Sequence, residues 1–377
     1  MVVGFSCYSY IRNMKKWAVR IAGIVLILFV VLVGAAFWSD SDTTEITRFV
    51  TNEQAKTIRD GWQGTPMDRR GRFVNHEFPF LPKLRELLEW QTASNKFAAE
   101  KESDTFRPQV LDPTAFFAAE TDGIIWLGHA SFYIRLKGRG ILIDPIFGTP
   151  PFVTRYIEVP SPIEQMRRVD YVLLSHDHRD HTDESTLRSI AQKFPNAKFV
   201  AGLGSEDILG DWSTPSNQVT TTGWFQEFLL GDEDIRIYFL PVRHWSRRGL
   251  SDTNIRLWGG YVIESGGTTV YHGGDSGYGR HYRETGEQFP EIDYFLMGIG
   301  AYEPRWFMEA NHNNPADVIK AFQDSGAKLL VPMHYGTFDL SDEPPSEPIR
   351  ELKRQADAAG LTERVRTLNI NESLAIP

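Results

Sequence analysis

One short stretch, residues 175–183, carries the side chains with the most evident chemistry in this sequence. It contains a His-x-His-x-Asp-His pattern, which places four metal-competent side chains within six residues. Neutral imidazole and carboxylate groups suit Zn²⁺, and also Fe and Mn. A single ion rarely takes four ligands from so short a loop, so we expect two ions that share it. A polar surface turn rich in histidine is the alternative. The four side chains are His176 and His178, facing one ion, and Asp180 and His181, facing the other.

Three further candidate ligands lie elsewhere in the chain, each at the end of a predicted strand. Loops at strand ends along one edge of a sheet commonly build sites. One candidate is an aspartate in a glycine turn, residues 273–277, where the backbone can approach two ions and the carboxylate can bridge them. A lone histidine at a strand end is more often structural, but a two-ion site needs three more ligands and three are present. They are His244, Asp275 and His334.

Short strands and helices must position these residues. From residue 123 onward, apolar runs and turn signals predict two runs of strands, each followed by helices. This order predicts an α/β fold of two layered sheets with helices outside. The helix at 315–325 has Asn314 as its N-cap, Pro315 at its first position and Gly326 past its end. The predicted strands are 123–127, 131–136, 140–144, 170–175, 198–201, 235–241, 258–264, 268–271 and 328–332, and the predicted helices are 184–194, 280–289, 315–325 and 347–359.

Several strings of residues resemble one enzyme family. They make the chain similar to the metallo-β-lactamase superfamily and, more narrowly, to the N-acylphosphatidylethanolamine-hydrolysing phospholipase D family. The pattern at 175–183 indicates only the superfamily, whereas Gly-Ala-Tyr-Glu-Pro-Arg-Trp-Phe-Met at 300–308 is much more specific. The resemblance covers roughly residues 71–370 and implies an αββα sandwich with a metal edge. The other matching strings are Gly71–Asn75, Trp126–Ala130, Asp144–Phe147, His244-Trp245, Leu257–Gly259, Gly274–Tyr278 and His334–Phe338.

The resemblance implies two zinc ions per chain. Beside the metal loop it places His129 and Asp144. Asp144 either accepts a hydrogen bond from the outer nitrogen of a ligating histidine or caps a turn before Pro145. The implied ligands are His176, His178 and His244 for one ion, Asp180, His181 and His334 for the other, and Asp275 as the bridge.

The resemblance also implies catalytic and substrate-binding residues. His312 matches a histidine that follows the 300–308 string in the family, and we expect it to give a proton to the leaving group. Asp180 is the other predicted catalytic residue. Arg305 and Trp306, inside the specific string, are predicted to contact the substrate, because an arginine can hold a phosphate bidentately.

The predicted reaction is hydrolysis of a phosphodiester. By the resemblance, the substrate is an N-acylphosphatidylethanolamine-like phospholipid, and the products are phosphatidic acid and the head-group alcohol. Two zinc ions would activate a water and offset the charge that builds in the transition state. Two alternatives stay open: a lactonase or carboxylic ester hydrolase on the same metals, and a membrane-anchored metal-binding sensor without turnover.

Composition limits the partners. The net charge is −9, and the first twenty residues carry +4, which leaves −13 for the rest. An acidic body argues against nucleic acid. Phospholipid and a membrane are the expected partners, and a homodimer is also expected. The single cysteine, Cys7, excludes an intrachain disulfide and a thiolate ligand in the catalytic region.

An uncharged run, residues 21–38, predicts a membrane anchor. At ~1.5 Å per residue it spans about 27 Å, close to the hydrocarbon thickness of a bilayer. Basic residues precede it, so the catalytic domain is predicted on the extracytoplasmic side of a single-pass protein. A cleaved signal peptide is the alternative. Nothing in residues 1–70 resembles the family. The predicted organisation is a cytoplasmic N-terminus at 1–16, an anchor at 17–38, a linker with some helix at 39–70 and a hydrolase domain at 71–377.

Overall fold

The structure is a computed structural model, and it describes residues 45–377 apart from 82, 159–160, 213–218 and 250. The described residues divide into two units, one of which holds residues 81–93. In that unit, helix α1 (Leu84–Thr92) leaves Leu87 and Leu88 exposed. The other unit, Glu45–Phe80 with Ser94–Pro377, contains every sheet described below.

Short strands and helices make up the larger unit. The strands are β1 (Ile46–Val50), β2 (Lys56–Thr57), β3 (Thr65–Asp68), β4 (Gly123–Gly128), β5 (Ser131–Leu136), β6 (Arg139–Ile143), β7 (Thr154–Arg155), β8 (Tyr171–Leu174), β9 (Lys198–Gly202), β10 (Val219–Thr222), β11 (Gln226–Glu227), β12 (Arg236–Leu240), β13 (Gly260–Ser265), β14 (Thr268–His272), β15 (Tyr294–Gly298), β16 (Leu329–Met333), β17 (Phe338–Asp339) and β18 (Ser373–Ala375). The helices are α2 (Ala98–Ser103), α3 (Thr114–Ala118), α4 (Glu184–Lys193), α5 (Glu206–Asp211), α6 (His281–Gln288), α7 (Arg305–Met308), α8 (Pro315–Ser325) and α9 (Glu347–Ala358).

Two mixed seven-stranded sheets dominate the fold. Their strand orders are β10-β9-β8-β6-β5-β4-β18 and β16-β15-β14-β13-β12-β11-β2. In the first sheet, β4, β6 and β8 run in the same direction, because β4–β5 and β5–β6 are antiparallel and β6–β8 is parallel. In the second sheet, β12, β14, β15 and β16 share a direction for the same reason. Strands that share a direction end at the same edge, so each sheet gathers several strand-end loops at one edge.

The sheets pack face to face through apolar side chains that alternate along the strands. In β4, Ile124 and Trp126 join the core between the sheets. Ile125, on the opposite face of β4, packs in a second core with Leu187 and other residues of α4. Tyr261 of the second sheet reaches the first, where its hydroxyl lies 2.7 Å from the Leu174 carbonyl oxygen. This packing confirms the predicted two-sheet α/β fold with helices outside.

Helix α8 shows how local sequence determines an element that borders the site. The Asn314 side chain accepts a hydrogen bond from the Asp317 amide at 2.8 Å, and the Asp317 carboxylate accepts one from the Asn314 amide at 3.2 Å. This reciprocal capping box satisfies two amides that the helix leaves free. Gly326 ends the helix at a φ of 69°, a conformation that glycine adopts without strain. The helix therefore has the boundaries that the sequence predicts.

The N-terminal segment differs from the predicted linker. Residues 45–70 contain three strands in place of the predicted helix. Strand β2 pairs with β11 and extends the second sheet. The Gln226 side chain also accepts a hydrogen bond from the Asn52 amide at 2.9 Å. The predicted helix is therefore wrong, because these backbone groups pair with distant strands, which a local sequence pattern does not indicate.

The membrane localisation predicted from the sequence requires a correction. The predicted anchor at 17–38 lies outside the described residues. In the part of the chain that the structure describes, no helix is long and apolar enough to cross a membrane. The longest helix there, α9, has 12 residues. At ~1.5 Å per residue it spans about 18 Å, whereas the hydrocarbon core is about 30 Å thick. On this finding the predicted single-pass localisation, with an extracytoplasmic catalytic domain, is wrong.

Candidate metal centre

The loop between β8 and α4 has a fixed backbone shape. The His178 carbonyl oxygen accepts hydrogen bonds from the amides of His181 and Thr182, at 3.1 and 2.9 Å. The Thr182 hydroxyl donates to the His176 carbonyl at 2.6 Å. Asp177, the acidic residue between the first two histidines, pairs with Arg256 at 3.1 Å. These bonds turn the two pairs of predicted ligands toward the same edge.

Three histidines form the first group of potential ligands. His178 Nδ1 lies 2.9 Å from His176 Nε2 and 3.2 Å from His244 Nε2. The outer nitrogens are also engaged: His176 Nδ1 lies 2.9 Å from the Ser175 hydroxyl, and His244 Nδ1 lies 3.1 Å from the Asn311 carbonyl oxygen. A ring whose outer nitrogen is bonded presents its inner nitrogen in a fixed direction, as in ligating histidines of known metal sites.

The second group contains Asp180, His181, His334 and His129, whose ligand atoms lie within 4.8 Å of one another. Asp180 Oδ2 is 3.6 Å from His181 Nε2, 3.7 Å from His334 Nε2 and 3.0 Å from His129 Nε2. The sequence prediction assigned the first three residues to one ion and placed His129 beside the loop. The structure brings His129 into the group itself, with its ring nitrogen against the carboxylate.

Asp275 lies between the two groups. Its Oδ2 is 3.1 Å from His181 Nε2 and 3.9 Å from His176 Nε2. Its Oδ1 is 3.2 Å from His334 Nε2. One carboxylate therefore contacts histidines of both groups, which is the position that a bridging ligand requires.

Asp144 forms hydrogen bonds with Ser175 and His181 and so orients residues of the centre. It is fully buried and accepts hydrogen bonds from the Ser175 amide at 2.7 Å and the Ser175 hydroxyl at 2.5 Å. His181 Nδ1 lies 2.8 Å from Asp144 Oδ2, which selects the tautomer that leaves His181 Nε2 free for a cation.

Three residues at the centre adopt backbone conformations that are unusual for non-glycine residues. His129, Asp144 and His334 have φ values of 51°, 43° and 62°. Each follows the end of a strand, β4, β6 or β16. Left-handed residues of this kind cost free energy and cluster at functional sites, where the surrounding structure holds them.

The residues present fit a cationic cofactor. Among the atoms that face these groups, His181 Nε2, His334 Nε2 and Asp275 Oδ1 are buried and have no hydrogen-bond partner among the described residues. Burial opposes protonation of His334, but the Asp275 and Asp180 carboxylates outweigh it and raise the His334 pKa to about 9. The same balance raises the pKa of His181. Carboxylates that favour protonated, positively charged imidazoles in a buried site would equally favour bound metal cations in place of those protons.

The residues predicted to act on the substrate lie at one side of this centre. His312 Nδ1 is 3.9 Å from Asp275 Oδ2, and burial lowers the His312 pKa to about 3. The Arg305 guanidinium points to protein groups, the His312 carbonyl oxygen at 3.1 Å and Asp317 Oδ2 at 2.8 Å. Trp306 is about half exposed. His312 thus joins the centre, whereas Arg305 contacts the His312 backbone and Asp317.

Comparison with known proteins identifies the family. Residues 139–335 match the model described as the beta-lactamase superfamily domain. The N-acyl-phosphatidylethanolamine-hydrolyzing phospholipase D 1 of Caenorhabditis elegans is 33% identical over 327 residues, which cover 82% of this chain and 91% of the relative. This chain belongs to that phospholipase D family, within the metallo-β-lactamase superfamily.

Other family members and structures agree with this assignment. The mitochondrial N-acyl-phosphatidylethanolamine-hydrolyzing phospholipase D of Saccharomyces cerevisiae is 30% identical over 252 residues, covering 63% of this chain and 53% of the relative. Igni18, a metallo hydrolase from the archaeon Ignicoccus hospitalis, shares the fold with a TM-score of 0.53 and 22% identity, over 68% of this chain and 99% of that one. The chain is a metal-dependent hydrolase of this superfamily, as the sequence predicted.

Sequence reasoning missed several residues that orient the candidate ligands. Ser175 contacts both His176 and Asp144, and its position directly before the histidine pattern was the available signal. The Asn311 carbonyl oxygen orients His244, and Arg256 anchors Asp177 from 79 positions away. A backbone carbonyl and a distant arginine leave no local pattern in a sequence, so only the folded chain reveals them.

Proposed function

We propose that this chain is a phosphodiesterase of the phospholipase D type, which hydrolyses N-acylphosphatidylethanolamine-like phospholipids to phosphatidic acid and the head-group alcohol. The names of its C. elegans and S. cerevisiae relatives support the substrate class. The position of Asp275 between two histidine-rich groups carries the proposal, because two cation sites that share a carboxylate suit in-line displacement at phosphorus.

The proposed cofactor is a pair of zinc ions. One would be held by His176, His178 and His244, the other by Asp180, His181 and His334, with Asp275 shared between them. All of these ligands offer nitrogen or oxygen, a set that suits zinc. When bound, the ions supply an activated water and a Lewis acid for the phosphoryl oxygens.

The protein's own residues would do three things in this reaction. Asp144 and the Asn311 carbonyl hold His181 and His244 in fixed tautomers. Asp180 and His312 keep 18% and 16% of their side-chain surface exposed, whereas His181 keeps none, so the substrate approaches at the first two. Because burial lowers the pKa of His312, its imidazole is neutral before the reaction, so we expect it to take a proton from the attacking water and pass it, directly or through water, to the departing alkoxide.

Isotope labelling tests the bond that is cleaved. In the proposed reaction, water oxygen forms a bond to phosphorus, the bond from phosphorus to the head-group oxygen breaks, and the alcohol leaves with a proton. After turnover of an N-acylphosphatidylethanolamine in ¹⁸O-water, mass spectrometry should therefore find the label in the phosphate of phosphatidic acid. Label in a free fatty acid would mean attack at an ester carbonyl and would reject the proposal.

A matched substrate survey separates the remaining alternative. The same preparation should be offered lactones and carboxylic esters with similar acyl chains. We expect at least tenfold lower kcat/KM on these than on the phospholipid. The Asp275→Ala variant should lose activity on every substrate, which confirms that one centre is responsible. A preference for lactones would assign the chain to the lactonase class.

A further inference from the structure

The family-specific string begins with a segment that touches both sides of the metal centre. We call this segment, residues 300–305, the strap; it follows β15 and ends at the first residue of α7. At one end, a Cβ added to Gly300 would lie 2.2 Å from the His334 carbonyl oxygen, so the strap packs directly on the backbone of a proposed ligand. At the other end, Arg305 bonds to the His312 backbone.

A buried carboxylate holds the middle of the strap. Glu343 accepts hydrogen bonds from the amides of Ala301 at 2.6 Å, Tyr302 at 3.3 Å and Glu303 at 3.0 Å. It is only 6% exposed. Three amides around one carboxylate satisfy a charge that would otherwise be costly to bury. The strap is therefore anchored independently of any substrate.

The Arg305 side chain is occupied by two protein groups. One terminal nitrogen donates to the His312 carbonyl oxygen at 3.1 Å, and the other donates to Asp317 Oδ2 at 2.8 Å. Asp317 Oδ2 also accepts the Asn314 amide in the capping box of α8. The guanidinium thus connects the loop that carries His312 to a rigid helix end, and its charge is balanced by a carboxylate.

The loop held by Arg305 carries two groups that act at the centre. The His312 amide donates to the Met308 carbonyl at 2.9 Å, so both backbone polar groups of His312 are bonded. The neighbouring Asn311 carbonyl contacts His244 Nδ1. A shift of the loop at its contact with Arg305 would therefore move the His312 ring.

We propose that Arg305 is a positioning residue, with Asp317 as its partner, that acts through His312 and does not bind the substrate phosphate. This inference rests on the role proposed above for His312. It replaces the substrate contact that the sequence predicted for Arg305. The guanidinium bridges a helix cap and a loop carbonyl, and it thereby fixes the loop that carries His312. Such fixing matters because a small displacement of a catalytic group lowers the rate by a large factor.

A double-mutant cycle tests the proposal. Arg305→Gln and Asp317→Asn should each lower kcat at least tenfold on a phosphodiester with an alkyl leaving group and change KM less than threefold. The double variant should be no slower than the slower single variant, because both changes break one bridge. Arg305→Gln introduced into His312→Ala should cost no further rate. Arg305→Lys, which cannot span both partners, should recover only part of the loss.

Controls distinguish the possible failures. Arg354→Gln removes an exposed arginine of α9 that pairs with Glu351, and it should leave the rate unchanged. Melting temperature and metal content, measured on every variant, identify loss of folding. A large rise in KM for Arg305→Gln alone, or a further loss in the His312→Ala background, would overturn the proposal. The cycle can be run on any hydrolysed ester, so a failed phospholipid assay would reject the proposed substrate and leave this test valid.

Discussion

At the scale of single residues, hydrogen bonds fix the orientation of the histidine side chains at the centre. His181 is held by Asp144, His244 by the Asn311 carbonyl, and His176 by the Ser175 hydroxyl. Each bond engages the outer ring nitrogen and leaves the inner one available. Such outer partners raise ligand basicity and fix ring direction. Two predictions follow at this scale.

His312→Ala should separate proton donation from metal binding. With an alkyl leaving group we expect a loss of roughly 10²–10⁴-fold, the usual range for general acid–base help. With a nitrophenyl phosphodiester, whose leaving group needs no proton, the variant should recover much of its activity. The steady-state rate is measured on both substrates. The metal content of the variant should stay at the wild-type value.

His76→Ala is the matched control for that experiment. His76 is a histidine outside the centre that contacts Glu284 at 2.7 Å. Its removal should leave the ratio of the two rates unchanged. An equal loss on both substrates for His312→Ala would show that His312 is not the proton donor.

Asp275→Ala should lose metal. Its Oδ1 contacts His334, and its Oδ2 contacts His181 and lies 3.9 Å from His176 of the first group, so truncation removes a ligand from each proposed ion. Elemental analysis of the purified wild type should find about two equivalents, mainly zinc. The variant should retain one or fewer. Asp324→Ala, which removes a carboxylate of α8 that contacts Tyr278 and Arg283 instead of the ligand groups, should retain both. A single tightly held ion in the wild type, unchanged in Asp275→Ala, would reject the shared centre.

At the scale of elements, strand direction brings the ligands together. His129 follows β4, Asp144 follows β6, and the loop at 175–183 follows β8 at the same edge of the first sheet. His244, Asp275 and His334 follow β12, β14 and β16 at one edge of the second.

The contact of α6 with the N-terminal segment provides a test by pH. Burial opposes ionisation of Glu284, but hydrogen bonds from His76 and Arg59 outweigh it and lower the Glu284 pKa to about 2. A carboxyl whose folded pKa lies below its unfolded value of about 4.5 stabilises the fold above that value. This stabilisation is lost as the pH falls from about 4.5 toward 2.

Glu284→Gln should therefore destabilise the protein in a pH-dependent way. At pH 7 we expect about 1–2 kcal/mol, because a charged acceptor is replaced by a neutral one. The difference from wild type should stay constant down to about pH 5 and narrow below it. Denaturant unfolding at several pH values measures it. The exposed Glu287 of the same helix supplies a control, and Glu287→Gln should change stability by less than about 0.5 kcal/mol.

At the scale of the whole molecule, the centre joins the two sheets. The first sheet contributes the 175–183 loop, and the second contributes His244, Asp275 and His334. A cation bound there contacts both halves of the sandwich and stabilises only the folded state, so its binding free energy adds to stability. Without it, several buried polar atoms have no partner among the described residues.

Removal of metal should consequently lower the melting temperature of the whole domain. At a free metal concentration 100 times the Kd, binding contributes about 2.7 kcal/mol. For a domain of about 330 residues, whose unfolding entropy is about 0.7 kcal/mol/K, we expect chelation to lower the Tm by about 4 °C. Scanning calorimetry before and after a chelator measures the shift, and added zinc should reverse it. Asp275→Ala should shift much less on chelation, and an unchanged wild-type Tm would contradict the coupling.

The amino-acid sequence by itself determined the chemistry and most of the elements. Three features could be predicted because neighbouring residues alone determine them. They are the His-x-His-x-Asp-His loop, the glycine turn at Asp275 and the boundaries of α8. Strand β15 was missed because a short continuous apolar run does not distinguish strand from helix.

Only the tertiary structure decided how these parts share one site. It placed His129 in the second ligand group, Asp275 between both groups, and the 56–57 segment at a sheet edge. It also directed Arg305 inward to a carbonyl and a helix cap. These outcomes depend on strand order, on register and on backbone groups that every residue possesses. No local pattern encodes them, because the partners lie far apart in the chain and meet only when the two sheets pack.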